Sequence, residues 1–405
     1  MDVLFLSPAY PPEMQQFTRG LAESGARVLG VGDTPYDALP HSLRAHLSSY
    51  LHVPAMLDEA DTERRILQWL GWHRPDRIEG IWEPVTLMAA RLRERLGVSG
   101  MSVDVVTGFR DKPLMRERVA AAGLRVPRSA RVRTRDEVWR AAREFGFPLI
   151  LKPVAGAGSA DTWRANDPAE LDAVLDRLTH VTEASCEEFI RGDEYTYETL
   201  CVDGVPVYES VCRYEPNTLI ARQNEWISPI IQSVRDLSSP VVEPGIRLGR
   251  AVLRALGMGT GFTHMEWFRA PDGSAIFGEV ACRPPGANMV DLMNYTEDMD
   301  LFRGWARLVC DRPLGEVARR PWSAAIVFKR ATGQGRILRH DGLDAFVARH
   351  RPWIARVDVL PIGAPRRDWK QTFLSDGNLV VRHPDEGTAL ALAREAATSI
   401  HLRAG

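Results

Sequence analysis

The chain has 405 residues, 45% of them hydrophobic and 26% charged, enough for two or three domains with sizeable cores. Lysine and arginine (51) nearly balance aspartate and glutamate (53), so a net charge of −2 offers no basic field for nucleic acid or an anionic membrane. Five scattered cysteines with no CxxC pair speak against a zinc cluster or a disulfide framework and favour a reducing cytoplasm, and no segment approaches the roughly 18 apolar residues of a membrane span.

In chain order, Val3–Ser7 reads as an apolar strand rather than a signal peptide, because it has neither a basic leader nor a long apolar run. A helix over Glu13–Ser24, a strand over Arg27–Gly32, a helix over Asp58–Trp72, a strand over Arg77–Trp82 and a helix over Leu87–Leu96 follow. This alternation predicts a parallel sheet with helices on both faces. Ligands of such sheets lie beyond the carboxyl ends of the strands, where Tyr10, Asp33 and Glu83 stand, although caps and turns use the same residue types. No GxGxxG follows the first strand, so this unit is Rossmann-like in shape without a dinucleotide fingerprint.

Residues 97–109 read as a link to a second unit. There, Asp111–Ala122 is a helix stopped by Gly123, Val126–Val132 is extended, and Asp136–Phe145 is an amphipathic helix ended by Gly146. Phe147–Lys152 is a buried-type strand that delivers Lys152 at its end, followed by a loop of small residues that includes Gly156, Gly158 and Ser159. A lysine beside unhindered backbone amides suits polyphosphate. The lysine precedes the glycines and no GKS or GKT follows, so this is not a Walker A loop. Lys112 matters only if it meets Lys152 across a cleft.

A helix over Pro168–Thr179 completes this small α+β unit. Ser185–Ile190, Tyr195–Val202 and Val205–Arg213 then read as three antiparallel strands, with Asp203-Gly204 as a two-residue hairpin turn. Glu187, Glu188, Phe189 and Ile190 combine acids and apolar residues that can frame a flat heterocycle, and Glu194 is placed to take ribose hydroxyl protons. Residues 217–236 are mostly polar and their pattern assigns no element; Arg222 within them, with Arg213 and His264, is a candidate for binding a substrate carboxylate or orienting an amine. Ser239–Leu256 is a long helix.

Residues 261–286 form a hairpin about Pro271-Asp272-Gly273. Folding back across the 13-residue separation sets Glu266 beside Glu279, with Arg283 four residues further on. Two carboxylates and an arginine supply hard oxygen ligands for Mg²⁺ and a fork of donors for phosphate. His264 shares the strand face of Glu266. A helix over Met289–Leu308, strands over Trp322–Lys329 and Asn378–Arg382, and helices over Leu343–His350 and Glu386–Ile400 complete the chain.

Taken together, Lys112, the Phe147–Val154 strand with its Gly/Ser loop, Glu187-Glu188-Phe189-Ile190-x-Gly192-x-Glu194, His264-x-Glu266 and Glu279-x-x-x-Arg283 resemble, in order and spacing, the ATP-grasp superfamily over about residues 1–310. The resemblance implies an α/β chain with four parts. These are an N-terminal Rossmann-like pre-ATP-grasp domain (1–110), a small α+β lid lobe (111–186), a large α+β lobe with an antiparallel sheet (187–310), and a C-terminal extension (311–405) that completes the substrate side or the face of a homodimer. It also implies ATP between the lobes, with Lys112 and Lys152 on its phosphates and Gly156, Gly158 and Ser159 closing over the γ-phosphate. Glu187 through Ile190 would hold adenine and Glu194 the ribose. Glu266 and Glu279 would carry Mg²⁺, or Mn²⁺ in its place, and Arg283 would act with Lys152 on the transferring phosphoryl group. Ala281 departs from the common Glu-x-Asn-x-Arg pattern, with Asn288 a weak substitute. Glu-x-Ala-x-Arg with His-x-Glu looks more like the bacilysin-type L-amino acid ligases.

The implied activity is that of a cytoplasmic, ADP-forming carboxylate–amine ligase acting through an acyl-phosphate on small-molecule substrates. Two alternatives remain. A bicarbonate-activating carboxylase is similar in this core, but biotin carboxylase carries a longer lid and chain. A non-catalytic nucleotide-binding regulator has no need to keep both lysines, both carboxylates and the arginine together.

Overall fold

A computed structural model describes residues 1–153, 162–178, 182–315, 320–370, 372 and 374–405. The first unit comprises β1 (Asp2–Leu6), α1 (Met14–Glu23), β2 (Arg27–Gly32), α2 (His41–Arg44), β3 (Ser49–His52), α3 (Glu59–Leu70), β4 (Arg77–Glu79), α4 (Thr86–Leu96) and α5 (Val103–Arg110). Its strands lie in the order β3-β2-β1-β4, all parallel. β1 is buried along its whole length, which is why it reads as an unbroken apolar run rather than an alternation. The stretch expected as a plain link carries α5: Ser102 caps it by accepting from Val105 N at 3.3 Å, and Val106 and Phe109 are buried.

The small lobe contains α6 (Lys112–Ala121), β5 (Ser129–Val132), α7 (Arg135–Phe145), β6 (Leu149–Pro153), β7 (Trp163–Ala165), α8 (Pro168–Arg177) and β8 (Ala184–Glu188). A Thr134/Glu137 capping box starts α7. β8 corrects the expectation of three consecutive antiparallel strands. It pairs with β5 and β6, in a sheet ordered β5-β8-β6-β7, because Ala184 and Cys186 belong to the small-lobe core. Glu187, on the opposite face, lines the cleft.

The large lobe contains β9 (Asp193–Val202), β10 (Val205–Glu215), α9 (Thr218–Gln223), β11 (Ile230–Ser233), α10 (Glu243–Leu256), β12 (Gly261–Arg269), β13 (Ala275–Ala281), α11 (Met289–Glu297) and α12 (Leu301–Val309). After these come β14 (Ser323–Phe328), β15 (Ile337–Asp341), α13 (Leu343–His350), β16 (Ile354–Val359), β17 (Gly377–His383), α14 (Glu386–Ser399) and β18 (His401–Ala404). Among the described residues the main sheet runs β13-β12-β9-β10-β11-β14-β17-β16, so the C-terminal strands extend the same sheet, while β15 and β18 form a separate ribbon. Asp203 (φ 48°) and Gly204 (φ 78°) make the expected tight turn. Residues 217–236, to which the sequence assigns no element, hold α9 and β11. The single helix expected over Met289–Leu308 breaks at Asp298, which takes φ 51°, and Asp300 restarts it by capping Arg303 N at 3.1 Å.

Side-chain alternation on the main sheet decides where the chemistry sits. Tyr195, Tyr197, Met265 and Trp267 are buried in the core with α10. The α10 glycines allow that approach: a Cβ on Gly245 would lie 2.1 Å from the Trp267 ring, and one on Gly249 would lie 2.2 Å from Tyr197. The intervening Glu194, His264 and Glu266 line a cavity on the opposite face. The first unit docks through α1, where Phe17 packs edge-on against Phe302 and Trp305 at 4.9 and 5.2 Å. Among the described residues no helix is long and apolar enough to cross a membrane.

Candidate active site

A cavity of about 960 Å³ lies where the three units meet. At its centre Glu266 and Glu279 sit directly opposite each other on β12 and β13, the register that the Asp272-Gly273 turn enforces. A bulge follows between Glu266 and Trp267. Lys112 stands at the first position of α6, whose cap is Asp111, and reaches Glu279 at 2.5 Å. Burial disfavours the charged amine, but Glu279 outweighs it and holds Lys112 above the ordinary lysine value.

The second lysine is held differently. Lys152, on β6, lies 3.0 Å from Glu187 on the adjacent β8. The same carboxylate takes a two-pronged bond from Arg116 at 2.6 and 2.9 Å and another from Ser185 Oγ at 2.8 Å. Burial would raise the Glu187 pKa, yet Lys152 and Arg116 prevail and bring it down to about 2. Lys152 itself sits below its ordinary value, because burial and the neighbouring Arg116 and Lys112 outweigh Glu187.

Arg283 donates to Glu83 at 2.5 Å and to Pro284 O at 2.8 Å, and Glu83 also binds Arg110 at 2.5 Å. The first unit therefore orients the arginine that follows the hairpin. His264 bonds Glu198 at 2.9 Å and lies 3.7 Å from Glu266. Burial works against protonation of His264, but Glu198 and then Glu266 lift it to about 9. Glu198 is fully buried, and among the described residues its second oxygen has no hydrogen-bond partner. Glu194 accepts from the backbone N and the hydroxyl of Thr218, both at 2.7 Å. Burial first, and Glu266 second, push its carboxyl up to about 7.

These residues fit a hydrated divalent cation beside a polyphosphate. Glu266 and Glu279 stand side by side and Glu194 is strained by its like-charged neighbour, an arrangement that a cation relieves. Mg²⁺ is commonly held by one or two carboxylates together with phosphate oxygens and water. Two lysines and an arginine lining the same cavity suit the anion.

A family model described as the carbamoyl-phosphate synthase L chain, ATP binding domain, matches residues 111–190. The crystal structure of an L-amino acid ligase from Bacillus licheniformis superposes with a TM-score of 0.76 at 19% identity, covering 99% of this chain and 98% of that one. The chain has the ATP-grasp fold. Among curated relatives, the L-arginine-specific L-amino acid ligase of Bacillus subtilis is 23% identical over 234 residues, 56% of this chain and 56% of that protein. Alanine–anticapsin ligase of Bacillus subtilis is 25% identical over 292 residues, 65% of this chain and 61% of that protein. The chain thus spans about half to three-fifths of the length of such relatives.

Of the residues that the ATP-grasp motifs single out, Lys112, Lys152, Glu187 through Ile190, Glu194, Glu266, Glu279 and Arg283 all line the one cavity, joined by His264 and Arg222. Arg213 is not part of that lining; its guanidinium lies 3.4 Å from Asp193. Gly156, Gly158 and Ser159 lie outside the described residues. Two expected adenine carboxylates are engaged elsewhere, Glu187 as above and Glu188 by Arg125 and Arg128 at 2.7 and 3.2 Å. Glu194, expected on ribose, is occupied in tethering α9. Ala281 faces His264 across the hairpin, and Asn288 is not among the lining residues.

Two participants, Arg116 and Glu198, escaped the sequence reading, and a third, Glu83, was named there without a role. Arg116 was visible as the i+4 neighbour of Lys112, and Glu198 as the next acid after Glu194 on the same face of an alternating strand. Glu83 stood at a strand end as one of three cap-like residues, and nothing in the sequence separated it from Tyr10, which is exposed, or from Asp33, which is not part of the lining.

Proposed function

We propose that this protein is an ATP-dependent carboxylate–amine ligase that joins amino-acid-like substrates and releases ADP and phosphate. The carrying observation is the convergence of the Glu266/Glu279 pair, both lysines and the braced Arg283 in one cavity between three units. The likeness to L-amino acid ligases supports the choice of substrate class. In this reading residues 1–110 shape the acceptor side, 111–186 cover the nucleotide, 187–310 carry the phosphoryl chemistry, and 311–405 extend the large lobe.

A substrate carboxylate oxygen attacks the γ-phosphorus of ATP, and the bond to ADP breaks. An amine nitrogen then attacks the acyl carbon, phosphate leaves with the C–O electrons, and one proton is lost from the nitrogen. Lys152 and Arg283 spread the charge on the transferring group. Lys112 exchanges Glu279 for phosphate oxygens. Glu83 keeps the Arg283 guanidinium from swinging away, and the cavity walls exclude the water that would hydrolyse the activated acid. Bound between Glu266 and Glu279, Mg²⁺ would neutralise phosphate oxygens.

ADP release with pooled amino acids, with and without bicarbonate, tests the reading. Release that needs amino acids and ignores bicarbonate is expected. Release driven by bicarbonate favours a carboxylase, and none under any condition a regulator.

A further inference from the structure

The end of the cavity lined by the first unit holds a carboxylate that no motif singles out. Glu13 stands immediately before α1 and lines the cavity with Met14, Phe17, Ile81, Trp82 and Met289. The loop is firmly held: Met14 and Phe17 are buried, and Gly20 of α1 lies so close to Phe302 that a Cβ would come within 2.7 Å of its carbonyl oxygen. Among the described residues the Glu13 carboxylate has no side-chain partner; its own backbone amide is the one hydrogen-bond donor it meets. The two cations that face it are committed elsewhere. Arg283 is bound by Glu83 and Pro284 O, and Arg356 by Asp291 and Asn378, each at 2.9 Å. A recessed carboxylate without a partner is costly unless a ligand supplies the cation.

We propose that Glu13 is the ammonium-binding residue of a zwitterion subsite: it takes the charged amino group of the carboxylate-donating amino acid, apolar walls hold that substrate's side chain, and Arg283 faces its carboxylate. This rests on the ligase reading. The acyl donor keeps its ammonium charged while its carboxylate is activated, so it needs an anion at one end of its pocket and cationic groups at the other. The attacking amine must be neutral when it reacts and has less use for such a partner. Burial, followed by Asp291, already holds the Glu13 carboxyl above the ordinary range, and a bound ammonium would reverse that cost.

The test measures binding of the proteinogenic L-amino acids, and of their 2-hydroxy-acid counterparts, to the full chain saturated with MgADP, by calorimetry. At least one amino acid should bind at least about tenfold more tightly than its hydroxy acid, the usual effect of one charge-assisted hydrogen bond. Glu13→Gln should erase that preference while leaving MgADP affinity and melting temperature unchanged, and Glu13→Asp should keep part of it. Equal affinity for the two series, a preference that survives in Glu13→Gln, or no amino-acid binding at all overturns the subsite. ADP release with amino acids that is indifferent to Glu13→Gln would remove the subsite and leave the ligase reading standing. Glu13-dependent binding without ADP release would do the reverse.

Discussion

The Glu187 cluster makes a quantitative prediction. Replacing Glu187 with Gln keeps the shape of the side chain but strands Arg116 and Lys152 without their anion. The carboxyl falls from 4.5 to about 2 on folding, which at 1.36 kcal/mol per unit makes the ionised form worth about 3 kcal/mol. That agrees with the roughly 3–5 kcal/mol cost of breaking a buried ion pair. Because the folded pKa is depressed, this stability is fully present above the unfolded value near 4.5 and is lost as pH falls toward 2. Native-state hydrogen exchange, read on peptides covering β6 and β8, isolates the small lobe from the rest of a multidomain chain. Glu187→Gln should lower the opening free energy there by about 3 kcal/mol at pH 7, narrowing to about 1 kcal/mol at pH 3. A difference under about 1 kcal/mol at pH 7, or one that does not change with pH, would refute the assignment of Glu187 as the anchor of both cations.

Three further outcomes are expected. Glu279→Gln should cut ADP formation by at least about 100-fold, the scale of losing one charge-stabilising group. It should barely change thermal stability, because the partly exposed pair with Lys112 contributes little; retained turnover would sink the metal assignment. Lys152→Ala should weaken binding of a non-hydrolysable ATP analogue about tenfold by calorimetry, and unchanged affinity would show that this lysine does not touch phosphate. Gly245→Ala pits about 1 kcal/mol of helix propensity against overpacking onto the fully buried Trp267 ring. The clash should win by about 2 kcal/mol in urea unfolding, and a neutral or stabilised variant would show that α10 can lift off the sheet.

Local chemistry made much of the fold and site legible. The Asp272-Gly273 turn and the alternation around it set Glu266 against Glu279, and the structure has that pairing. An apolar strand ending in Lys152 and a helix beginning at Lys112 likewise announced themselves, since a strand end and a helix cap depend on near neighbours. The break between α11 and α12 did not, because an aspartate in the left-handed region leaves no clear mark in a helical pattern. Nor did the sheet to which β8 belongs: its sequence suits either lobe, and the packing of Cys186 into the small-lobe core decided it.

The sequence by itself determined which residue types were available and where short-range geometry would hold them: two carboxylates on one hairpin, a lysine on a strand end, an arginine four residues beyond the second acid. Only the tertiary structure decided whom they meet. Arg116 finds Glu187 from 71 residues away, His264 finds Glu198 from 66, and Arg283 finds Glu83 from 200. Such pairings are set by the docking of separate units, whose apolar faces bring strand ends and loops together without any local pattern to announce the partner. Glu13 is the same case: a residue that reads as the start of a helix becomes a cavity carboxylate only because α1 packs against α12.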